Sequence, residues 1–488
     1  MKVLFIYSLD DVQSTLKPLR SWSTIQFGIS YISSVLKVHN HQTRLLVLGS
    51  NRREQSILLL KSFVEEFDPG LICLTAVFSQ YFFIAEVAEF LKNLWPDKFV
   101  IIGGVHATLN PNEVIKGPFD ALCIGEGEYP TLELCNQLKD GKDVPQKIPN
   151  LWIKSRNGEI HKNEPRDFIQ DINTLPFPDR EMWVPWMKEQ THAELAILLG
   201  RGCPYNCSYC SNHALRRIAG GKYVRMRSPE NVIGELGGLH ASYPHQNVYF
   251  EVEAIALDKV WTLDFCRSLE AFNSTINNSI TYGCNFRIST QSIDESLFIA
   301  FERANFDKIN IGLESGSERI RLEVLKRNYS NNDFMKVIGM ARQHGLKVYL
   351  FNMIGLPGET FSDHMETVSL NRHCQPEGHY TGIFFPYAGT ELYDTCIKQG
   401  LIDDSVKIPQ IERKQAVITL PNFSKKQIQR AYTWFNYNVY KGHKPLWKLL
   451  IQVAVVKIGS NPTSHFLYRK IVQWPIVRYL HGKFAQNQ

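Results

Sequence analysis

Short runs of apolar residues alternate with segments of helical apolar spacing along the first 140 residues of the chain. The apolar runs predict strands at residues 2–8, 43–49, 71–77, 98–106 and 120–128, and the segments between them predict helices at 25–40, 55–69, 83–96 and 130–141. Strands that are apolar throughout and separated by helices indicate a parallel sheet buried on both faces. We therefore predict a doubly wound, Rossmann-like α/β domain over residues 1–145, with ligands beyond the carboxyl ends of its strands.

A second alternation of strands and helices begins at about residue 193. It predicts strands in ELAILLGRG and at 247–253, 280–287, 308–315, 347–359 and 380–386, with helices at 228–243 and 332–345. Repeated β–α units of this length are typical of a partial or full α/β barrel, which we place at residues 193–404. Residues 146–192 contain several prolines and a hairpin signal around 155–159, and we interpret them as a linker. Residues 405–488 are predicted to form a helical C-terminal domain.

The composition excludes several classes of protein. Apolar residues make up 44% and charged residues 21% of the 488 positions, so the chain is neither intrinsically disordered nor a coiled coil. No apolar run reaches the roughly 18 residues that a membrane span needs. The N-terminus reaches two aspartates too early for a signal peptide. Ten cysteines are too few for a disulfide scaffold, and we expect a cytoplasmic protein.

The charge is unevenly distributed along the chain. Residues 413–488 contain 13 Lys and Arg but no Asp or Glu, whereas residues 1–412 carry a net charge of −7, from 41 basic and 48 acidic residues. The tail also contains aromatic residues of the kind found at bilayer interfaces, namely Trp447, Tyr468, Trp474 and Tyr479. We expect peripheral contact with the anionic inner face of the membrane. An ordinary helical cap with a solvated basic face is the alternative, and nucleic acid is the less favoured partner.

Three cysteines lie close together after the first strand of the second series, in GRGCPYNCSYCSNH. Cys203, Cys207 and Cys210 have the spacing C-x3-C-x2-C. Three thiolates on one loop can bind three irons of a [4Fe–4S] cluster and leave the fourth iron open. A zinc knuckle is the alternative, but such sites usually close with a fourth Cys or His, and the spacing to His213 is not one we expect for zinc.

This loop, with Tyr209 before its last cysteine, resembles the signature of the radical S-adenosylmethionine (SAM) superfamily. Similar segments follow in the same order at IGLESGSE, IGLPGET and FFPYAGTELY, so the resemblance covers roughly residues 195–400. It implies that the open iron binds the amino and carboxylate groups of SAM. It also implies reductive cleavage of SAM to a 5′-deoxyadenosyl radical, which abstracts hydrogen from a substrate, and an electron donor such as flavodoxin or ferredoxin.

The resemblance also implies positions for SAM-binding residues. It places adenine against the backbone around Ile354, Gly355 and Glu359. It directs the side chains of Arg287, Glu314 and Ser315 toward the ribose or the methionine carboxylate. An internal ion pair is the alternative role for Arg287 and Glu314. Glu251 and Glu253 lie where relatives often have paired acids after the second strand, although the Gly-Gly-Glu version of that motif is absent.

The N-terminal domain resembles the cobalamin-binding domains that precede many radical SAM enzymes, through IIGGVHATLNP and CIGEGEYPTLEL. Glycines permit close backbone approach to a bulky ligand at two strand ends, at Gly103, Gly104, Gly125 and Gly127. The resemblance implies a cobalamin held by backbone and by the side chains of Thr75, Ser79 and Thr108.

The axial ligand of cobalt is a separate question. His106 does not lie in the Asp-x-His-x-x-Gly motif of proteins that supply a histidine to cobalt, so we expect a cobalamin without a histidine from that motif. Glu126 is a further candidate for cofactor binding, but Glu126 and Glu128 could equally stabilise the N-terminus of the helix at 130–138. A domain that keeps the fold but has lost the ligand remains the alternative.

Together, these features imply a cobalamin-dependent radical SAM enzyme. The favoured reaction is methylation of an unactivated carbon or phosphorus centre in a small-molecule or lipid-like substrate. Radical ring formation or rearrangement, without methyl donation by cobalamin, is an alternative. Methylthiolation would need additional N-terminal cysteines for a second cluster, whereas Cys73, Cys123 and Cys135 are scattered. A non-enzymatic cobalamin or redox sensor would need the cluster cysteines but not the SAM-binding strand ends.

Overall fold

The computed structural model describes most of the chain. The described residues are 1–139 except 11, 13 and 20, then 145–188 except 156, 194–242, 247–402 except 278, 412–461, and 464. They form two compact units. The first unit comprises Met1–Pro204 and Ser211–Glu251, and the second comprises Tyr205–Cys210 and Val252–Gln488.

Strands and helices alternate along both units. The strands are β1 (Lys2–Leu9), β2 (Gln42–Gly49), β3 (Leu71–Thr75), β4 (Phe99–Gly103), β5 (Ala121–Cys123), β6 (Leu151–Lys154), β7 (Ile160–Lys162), β8 (Leu195–Leu198), β9 (Gly200–Arg201), β10 (Arg225–Met226), β11 (Asn247–Glu251), β12 (Thr281–Phe286), β13 (Phe306–Glu314), β14 (Lys347–Ile354) and β15 (Gly378–Ile383). The α-helices are α1 (Phe27–Val38), α2 (Arg53–Phe67), α3 (Tyr81–Leu94), α4 (Val105–Leu109), α5 (Pro111–Val114), α6 (Glu128–Lys139), α7 (Asn212–Leu215), α8 (Pro229–Ser242), α9 (Lys259–Asn273), α10 (Glu295–Arg303), α11 (Asn331–Gln343), α12 (Phe361–Cys374), α13 (Glu391–Lys398), α14 (Lys425–Tyr440) and α15 (Leu446–Gly459). Short 3-10 turns and one π-turn, at Ile320–Val324, complete the helical structure of the described residues.

The first unit contains a seven-stranded sheet in the order β2-β1-β3-β4-β5-β6-β7. Its first five strands are parallel, as the continuous apolar runs predicted. Their side chains are buried on both faces, and Val3, Leu4 and Ile6 of β1 are completely inaccessible to solvent. The doubly wound fold is therefore confirmed, and the carboxyl ends of β1, β3, β4 and β5 form one edge where a ligand can bind.

The segment that we interpreted as a linker contributes to this unit. The hairpin signal around residues 155–159 is confirmed, because Lys154 pairs with Ile160 and joins β6 to β7. β6 then pairs antiparallel with β5 and extends the sheet. Further along, the Trp183 indole donates a hydrogen bond of 2.8 Å to the Ser30 hydroxyl in the core. The segment therefore contributes core residues such as the completely buried Trp183, which its prolines concealed in the sequence.

The second α/β series is divided between the units. In the first unit, β8 pairs parallel with β11, and β9 pairs antiparallel with β10. In the second unit, β12, β13, β14 and β15 are parallel neighbours in that order. The observed strands lie within or beside the predicted ones. β14 ends at Ile354, earlier than predicted, because Gly355 takes a φ of +83° and turns the chain.

The described part of the C-terminal region contains the two helices α14 and α15, preceded by turns at 412–424. α14 and α15 pack on a cluster of buried residues that includes Ile354, Phe384 and Phe435. Tyr468, Trp474 and Tyr479, on which part of the membrane prediction rests, lie outside the described residues. No helix among the described residues is both long enough and apolar enough to cross a membrane.

Candidate active site

The cysteine loop begins at a glycine that no other residue could replace without rearrangement. Gly202 has a φ of +87°, and a Cβ atom there would lie 2.3 Å from the carbonyl oxygen of Tyr223. Cys203 and Cys207 are buried, and Cys210 is half-buried. Three cysteines on one loop are the donor set that a [4Fe–4S] cluster with one open iron requires. The described residues contain no group of three His, Cys, Asp or Glu arranged around a single metal ion. A cluster does not require one, because each thiolate binds a different iron.

Ser208 anchors the loop within the second unit. Its hydroxyl donates a hydrogen bond of 2.5 Å to the carbonyl of Val324, and its backbone N–H donates to the carbonyl of Leu325. Its own carbonyl accepts from the N–H of Leu392, at the start of α13. The loop is therefore held by two segments distant in sequence, of which only the one containing Leu392 belongs to a motif of the resemblance.

Tyr209, Glu314 and Arg327 form a buried polar triad in the second unit. The Tyr209 hydroxyl donates to Oε1 of Glu314 at 3.0 Å. Arg327 Nη1 donates to the Tyr209 hydroxyl at 2.8 Å and to Glu314 Oε1 at 3.2 Å, and Nη2 donates to the carbonyl of Gly312 at 2.6 Å. Burial raises the pKa of Glu314, and Arg327 opposes that rise. Glu314 thus makes the internal ion pair that we had left open as its alternative role.

Arg327 is a residue that the sequence analysis missed. It lies 13 positions after Glu314, and no motif spacing connects the two. The need to balance a buried charge could have pointed to it. An acid predicted at the buried end of a strand needs a cation, and the LKR segment that follows supplies one.

Arg287 lies beside the cysteine loop instead of making an ion pair. Its Nη1 donates to the sulfur of Cys207 at 2.9 Å, and its guanidinium lies 3.8 Å from the ring centroid of Tyr205. A cation hydrogen-bonded to a cluster ligand favours the more negative, reduced state of an iron–sulfur cluster. The predicted contact of Arg287 with SAM stays a prediction.

The segment predicted to face adenine is shaped by a buried carboxylate. Glu359 is 1% exposed, and its Oε2 accepts hydrogen bonds from the N–H groups of Gly355 and Leu356 at 2.5 and 2.9 Å. Burial raises its pKa to about 8, against the opposing effect of the two backbone donors. Ile354 is completely buried. Glu359 thus fixes the turn at Gly355 from inside, and the contact of this segment with adenine stays a prediction.

The remaining candidates for SAM binding differ in accessibility. Ser315 is completely buried, and its hydroxyl accepts from the N–H of Ser317 at 3.2 Å. Its side chain stabilises the turn after β13. Glu251 is half-buried at the end of β11, and Glu253 is exposed. Their roles toward SAM stay predictions.

In the first unit, the predicted cobalamin residues gather at the carboxyl edge of the sheet. Thr75, the last residue of β3, pairs with Gly103, the last residue of β4. A Cβ atom on Gly104 would lie 2.8 Å from both the Thr75 hydroxyl and the carbonyl oxygen of Ala76.

The turn after β5 is fixed by a hydroxyl group. The Thr108 hydroxyl accepts a hydrogen bond of 3.1 Å from the N–H of Gly125. Ser79, in the turn after β3, is half-buried. A strand edge lined by glycine backbone and hydroxyl groups fits a bulky, neutral ring system.

His106 is buried at the same edge. Its ring centroid lies 4.5 Å from that of Tyr81 and 5.4 Å from that of Phe78, and Nε2 has no hydrogen-bond partner. Burial lowers its pKa to about 4, so the imidazole is neutral. An unpartnered buried nitrogen at this edge agrees with a ligand site. Nothing in the geometry assigns that nitrogen to cobalt, and the expected absence of a motif histidine stays a prediction.

Glu126 and Glu128 are engaged by arginines of the first unit. Glu126 pairs with Arg201 and Arg225, and Glu128 pairs with Arg201. Glu128 is also the first residue of α6, which agrees with the helix-terminus alternative. The structure thus gives Glu126 a set of protein partners, and its predicted contact with cofactor stays a prediction. A Cβ atom on Gly127 would lie 2.8 Å from the Ile32 side chain, so this glycine permits close packing of α1.

Comparisons with known proteins agree with both sites. Residues 23–134 match the model of the B12 binding domain, and residues 197–370 match that of the radical SAM superfamily. The chain is 26% identical over 434 residues to an uncharacterized methyltransferase of Pyrococcus horikoshii, covering 88% of this chain and 90% of the relative. It is 22% identical over 450 residues to cytidylyl-2-hydroxyethylphosphonate methyltransferase of Streptomyces wedmorensis, covering 82% of each.

A solved structure shows the same fold. The radical SAM methyltransferase TsrM from Kitasatospora setae, with tryptophan substrate and a SAM analogue bound, has a TM-score of 0.64 and 16% sequence identity. The match covers 95% of this chain and 90% of that one. The expected fold class is confirmed, namely a doubly wound domain followed by a radical SAM partial barrel.

The fold and the two domain matches define a class, the radical SAM enzymes that carry a B12 binding domain. This chain carries both domains of that class, matched at residues 23–134 and 197–370. The expected cofactors, a [4Fe–4S] cluster, SAM and cobalamin, are those of its two domains.

Proposed function

We propose that this enzyme transfers a methyl group to an unactivated carbon or phosphorus centre of a small molecule. The observation that carries the proposal is the presence in one chain of an open-iron cysteine loop and a glycine-lined cobalamin edge. The two curated relatives described above are both named methyltransferases, and each alignment covers at least 82% of this chain, which supports the same reaction type.

The bound cofactors would supply SAM cleavage at the cluster and methyl carriage on the corrinoid. The protein residues position and protect these groups. Cys203, Cys207 and Cys210 would bind three irons. The Tyr209–Glu314–Arg327 triad holds the loop between the last two cysteines against the end of β13, and Arg287 places a positive charge on the sulfur of Cys207.

In the N-terminal domain, backbone and hydroxyl groups would hold the corrinoid. Gly104 permits the turn after β4 to approach Thr75, and Thr108 fixes the turn that begins at Gly125. The neutral, buried ring of His106 adds no charge at this edge. These residues shape a pocket wall without supplying an acid or base. Such a wall suits a cofactor whose own metal carries out the chemistry.

The experiment uses SAM with a deuterated methyl group, the anaerobically reconstituted enzyme and fractionated cell extract. We expect one extract compound to gain an intact labelled methyl group, and the Cys203→Ala/Cys207→Ala/Cys210→Ala variant to produce none. A ring-closed or rearranged product without label would overturn methylation in favour of cyclisation. Sensing without catalysis would give neither labelled product nor 5′-deoxyadenosine.

We also propose that the enzyme receives its electron from a flavodoxin or ferredoxin and meets its substrate at an anionic membrane. Support for the membrane comes from α15, where Leu446 and Trp447 are 59% and 54% exposed and Leu450 and Ile451 are also exposed. These residues recur at helical spacing and form one apolar face. Lys441 and Lys444 precede this helix, Lys448 lies in its first turn, and the sequence has no acid after Glu412. Exposed apolar and basic residues together fit the headgroup region of an anionic bilayer.

Co-sedimentation of the full chain with vesicles tests this contact. We expect binding that rises with phosphatidylglycerol content, falls with salt, and drops at least fivefold in Trp447→Gln/Leu450→Gln. The control variant Val260→Gln removes a side chain that is 77% exposed in the same unit and should not change binding. Equal binding of the two variants would overturn the role of α15. Salt-sensitive binding to RNA but not to vesicles would replace the membrane by nucleic acid.

A further inference from the structure

Arg201, Arg225, Glu126 and Glu128 of the first unit form a connected set of ion pairs, which we call the Arg201 network. The two glutamates follow β5, and the two arginines lie on β9 and β10. Arg201 donates from Nη1 to Glu126 at 2.8 Å and from Nη2 to Glu128 at 2.6 Å. Arg225 Nη1 donates to both carboxylate oxygens of Glu126, at 2.9 and 3.0 Å. All four side chains are largely buried.

The two arginines occupy directly paired positions. Arg201 on β9 is the registered partner of Arg225 on β10. Like charges at paired positions of adjacent strands repel. The carboxylate of Glu126 lies between the guanidinium groups and offsets this repulsion. Burial acts to raise the pKa of Glu126, but the two arginines outweigh it and hold that pKa below its ordinary value.

Further contacts restrict the geometry of the network. The guanidinium carbon of Arg201 lies 5.0 Å from the ring centroid of Tyr31, and that of Arg225 lies 5.0 Å from the ring centroid of Phe168. Glu126 Oε2 also accepts from the N–H of Ile169 at 2.8 Å. Arg201, Arg225 and Glu126 are therefore each held by at least two neighbours, which limits the freedom of the network to rearrange.

The ends of the network lie next to the two cofactor loops. Glu126 lies between Gly125 and Gly127 in the predicted cobalamin turn. Arg201 directly precedes Gly202 and stands two residues before Cys203, the first cluster ligand. Buried ion pairs often add little net stability over apolar packing, because removing the charges from water offsets their attraction. A role in fixing the relative position of the two loops explains the presence of buried charges here better than a stabilising role does.

We propose that the Arg201 network is a positioning device that holds the cobalamin turn at Gly125–Gly127 in register with the start of the cysteine loop. This inference rests on the proposed function, because it assigns cobalamin and the cluster to those two loops. Arg201, Glu126 and Arg225 are positioning residues, and none of them touches a reacting atom. Methyl transfer between two bound cofactors depends on their separation, so a loosened network would impair transfer more than binding.

The test measures the separation of the two cofactors directly. Pulsed EPR on the reconstituted full chain detects the dipolar coupling between cobalt(II) of the corrinoid and the reduced cluster. We expect a narrow distribution of cobalt-to-cluster distances in the wild type. The distribution should be broad in Arg201→Met and in Glu126→Gln. Arg201→Lys should give a broad distribution too, because one ammonium cannot bridge two carboxylates as a guanidinium does. Cobalamin affinity should stay within about threefold in all three variants, and iron content should be unchanged.

A matched control separates positioning from stability. Arg180 and Glu235 form another buried ion pair of the same unit, at 2.8 Å, and neither residue adjoins a cofactor loop. Arg180→Met should lower stability but leave the distribution narrow. A narrow distribution in Arg201→Met and Glu126→Gln, with stability losses like that of Arg180→Met, would overturn the inference. Failure of the wild type to bind cobalamin would instead contradict the proposed function.

Discussion

Replacement of Arg327 by Met is expected to destabilise the second unit strongly. The guanidinium of Arg327 donates three hydrogen bonds, to the Tyr209 hydroxyl, to Glu314 and to the carbonyl of Gly312. Methionine is similar in length but donates none. The variant therefore leaves the buried carboxyl of Glu314 without its cation.

The magnitude follows from the burial of the pair. The side chains of Arg327 and Glu314 are 4% and 11% exposed. Removing one partner of a buried ion pair typically costs about 3–5 kcal/mol, since the other charge must stay unpaired or take up a proton. The double variant Arg327→Met/Glu314→Gln removes both charges, so we expect it to recover about 1–3 kcal/mol of this loss.

Pulse proteolysis in increasing urea measures the unfolding free energy of each variant. The control is Lys326→Met, at the neighbouring position. Lys326 pairs with Glu391, but both side chains are more than 40% exposed, so its loss should be below about 1 kcal/mol. A double variant no more stable than Arg327→Met, or equal losses in Arg327→Met and Lys326→Met, would refute the reasoning. SAM binding should also weaken in Arg327→Met, because the loop carrying Tyr209 loses its anchor.

Two further predictions concern the cluster and a buried histidine. Replacing the three loop cysteines by alanine should abolish both the reconstituted iron content and 5′-deoxyadenosine formation, and reductive SAM cleavage by that triple variant would contradict the cluster assignment. Burial lowers the pKa of His364 from 6.5 to about 4, so this histidine contributes stability above pH 6.5 that is lost as the pH falls toward 4. Between about pH 7.5 and about pH 5, this histidine should lower the free energy of unfolding by about 2 kcal/mol. Over the same range, the unfolding free energy of His364→Phe should fall by about 2 kcal/mol less than that of the wild type. Equal pH dependence of the two proteins would contradict the neutral, buried state of His364.

Periodicity and motif spacing predicted the strands well, because their signal is local. The apolar runs at residues 2–8 and 43–49 correspond closely to β1 and β2, and the run at 280–287 contains β12. Most positions of such strands are apolar because the sheet is covered on both faces, so the strands are visible in the sequence. The hairpin around 155–159 was visible from its turn residues.

The partners of buried charges could not be predicted, because they are distant in sequence. Glu126 and Arg225 are 99 positions apart, and Tyr209 and Arg327 are 118 apart. Only tertiary structure brings such groups together. The predicted cofactor contacts at Glu126 and Glu359 stay predictions, whereas the internal contacts of their carboxylates were not visible in the sequence. The packing role of Trp183 was hidden likewise, because its core partner Ser30 lies 153 positions away.

The transfer of a methyl group from SAM to the enzyme's own corrinoid tests the central claim most directly, because it requires no knowledge of the final substrate. The reconstituted full chain is incubated anaerobically with cobalamin, a reductant and SAM carrying a deuterated methyl group, and the corrinoid is then extracted for mass spectrometry. We predict that the extracted corrinoid carries the intact labelled methyl group and that the labelling disappears when SAM is omitted. Unlabelled corrinoid, from a protein shown to hold both cobalamin and the cluster, would contradict the proposed methyl transfer.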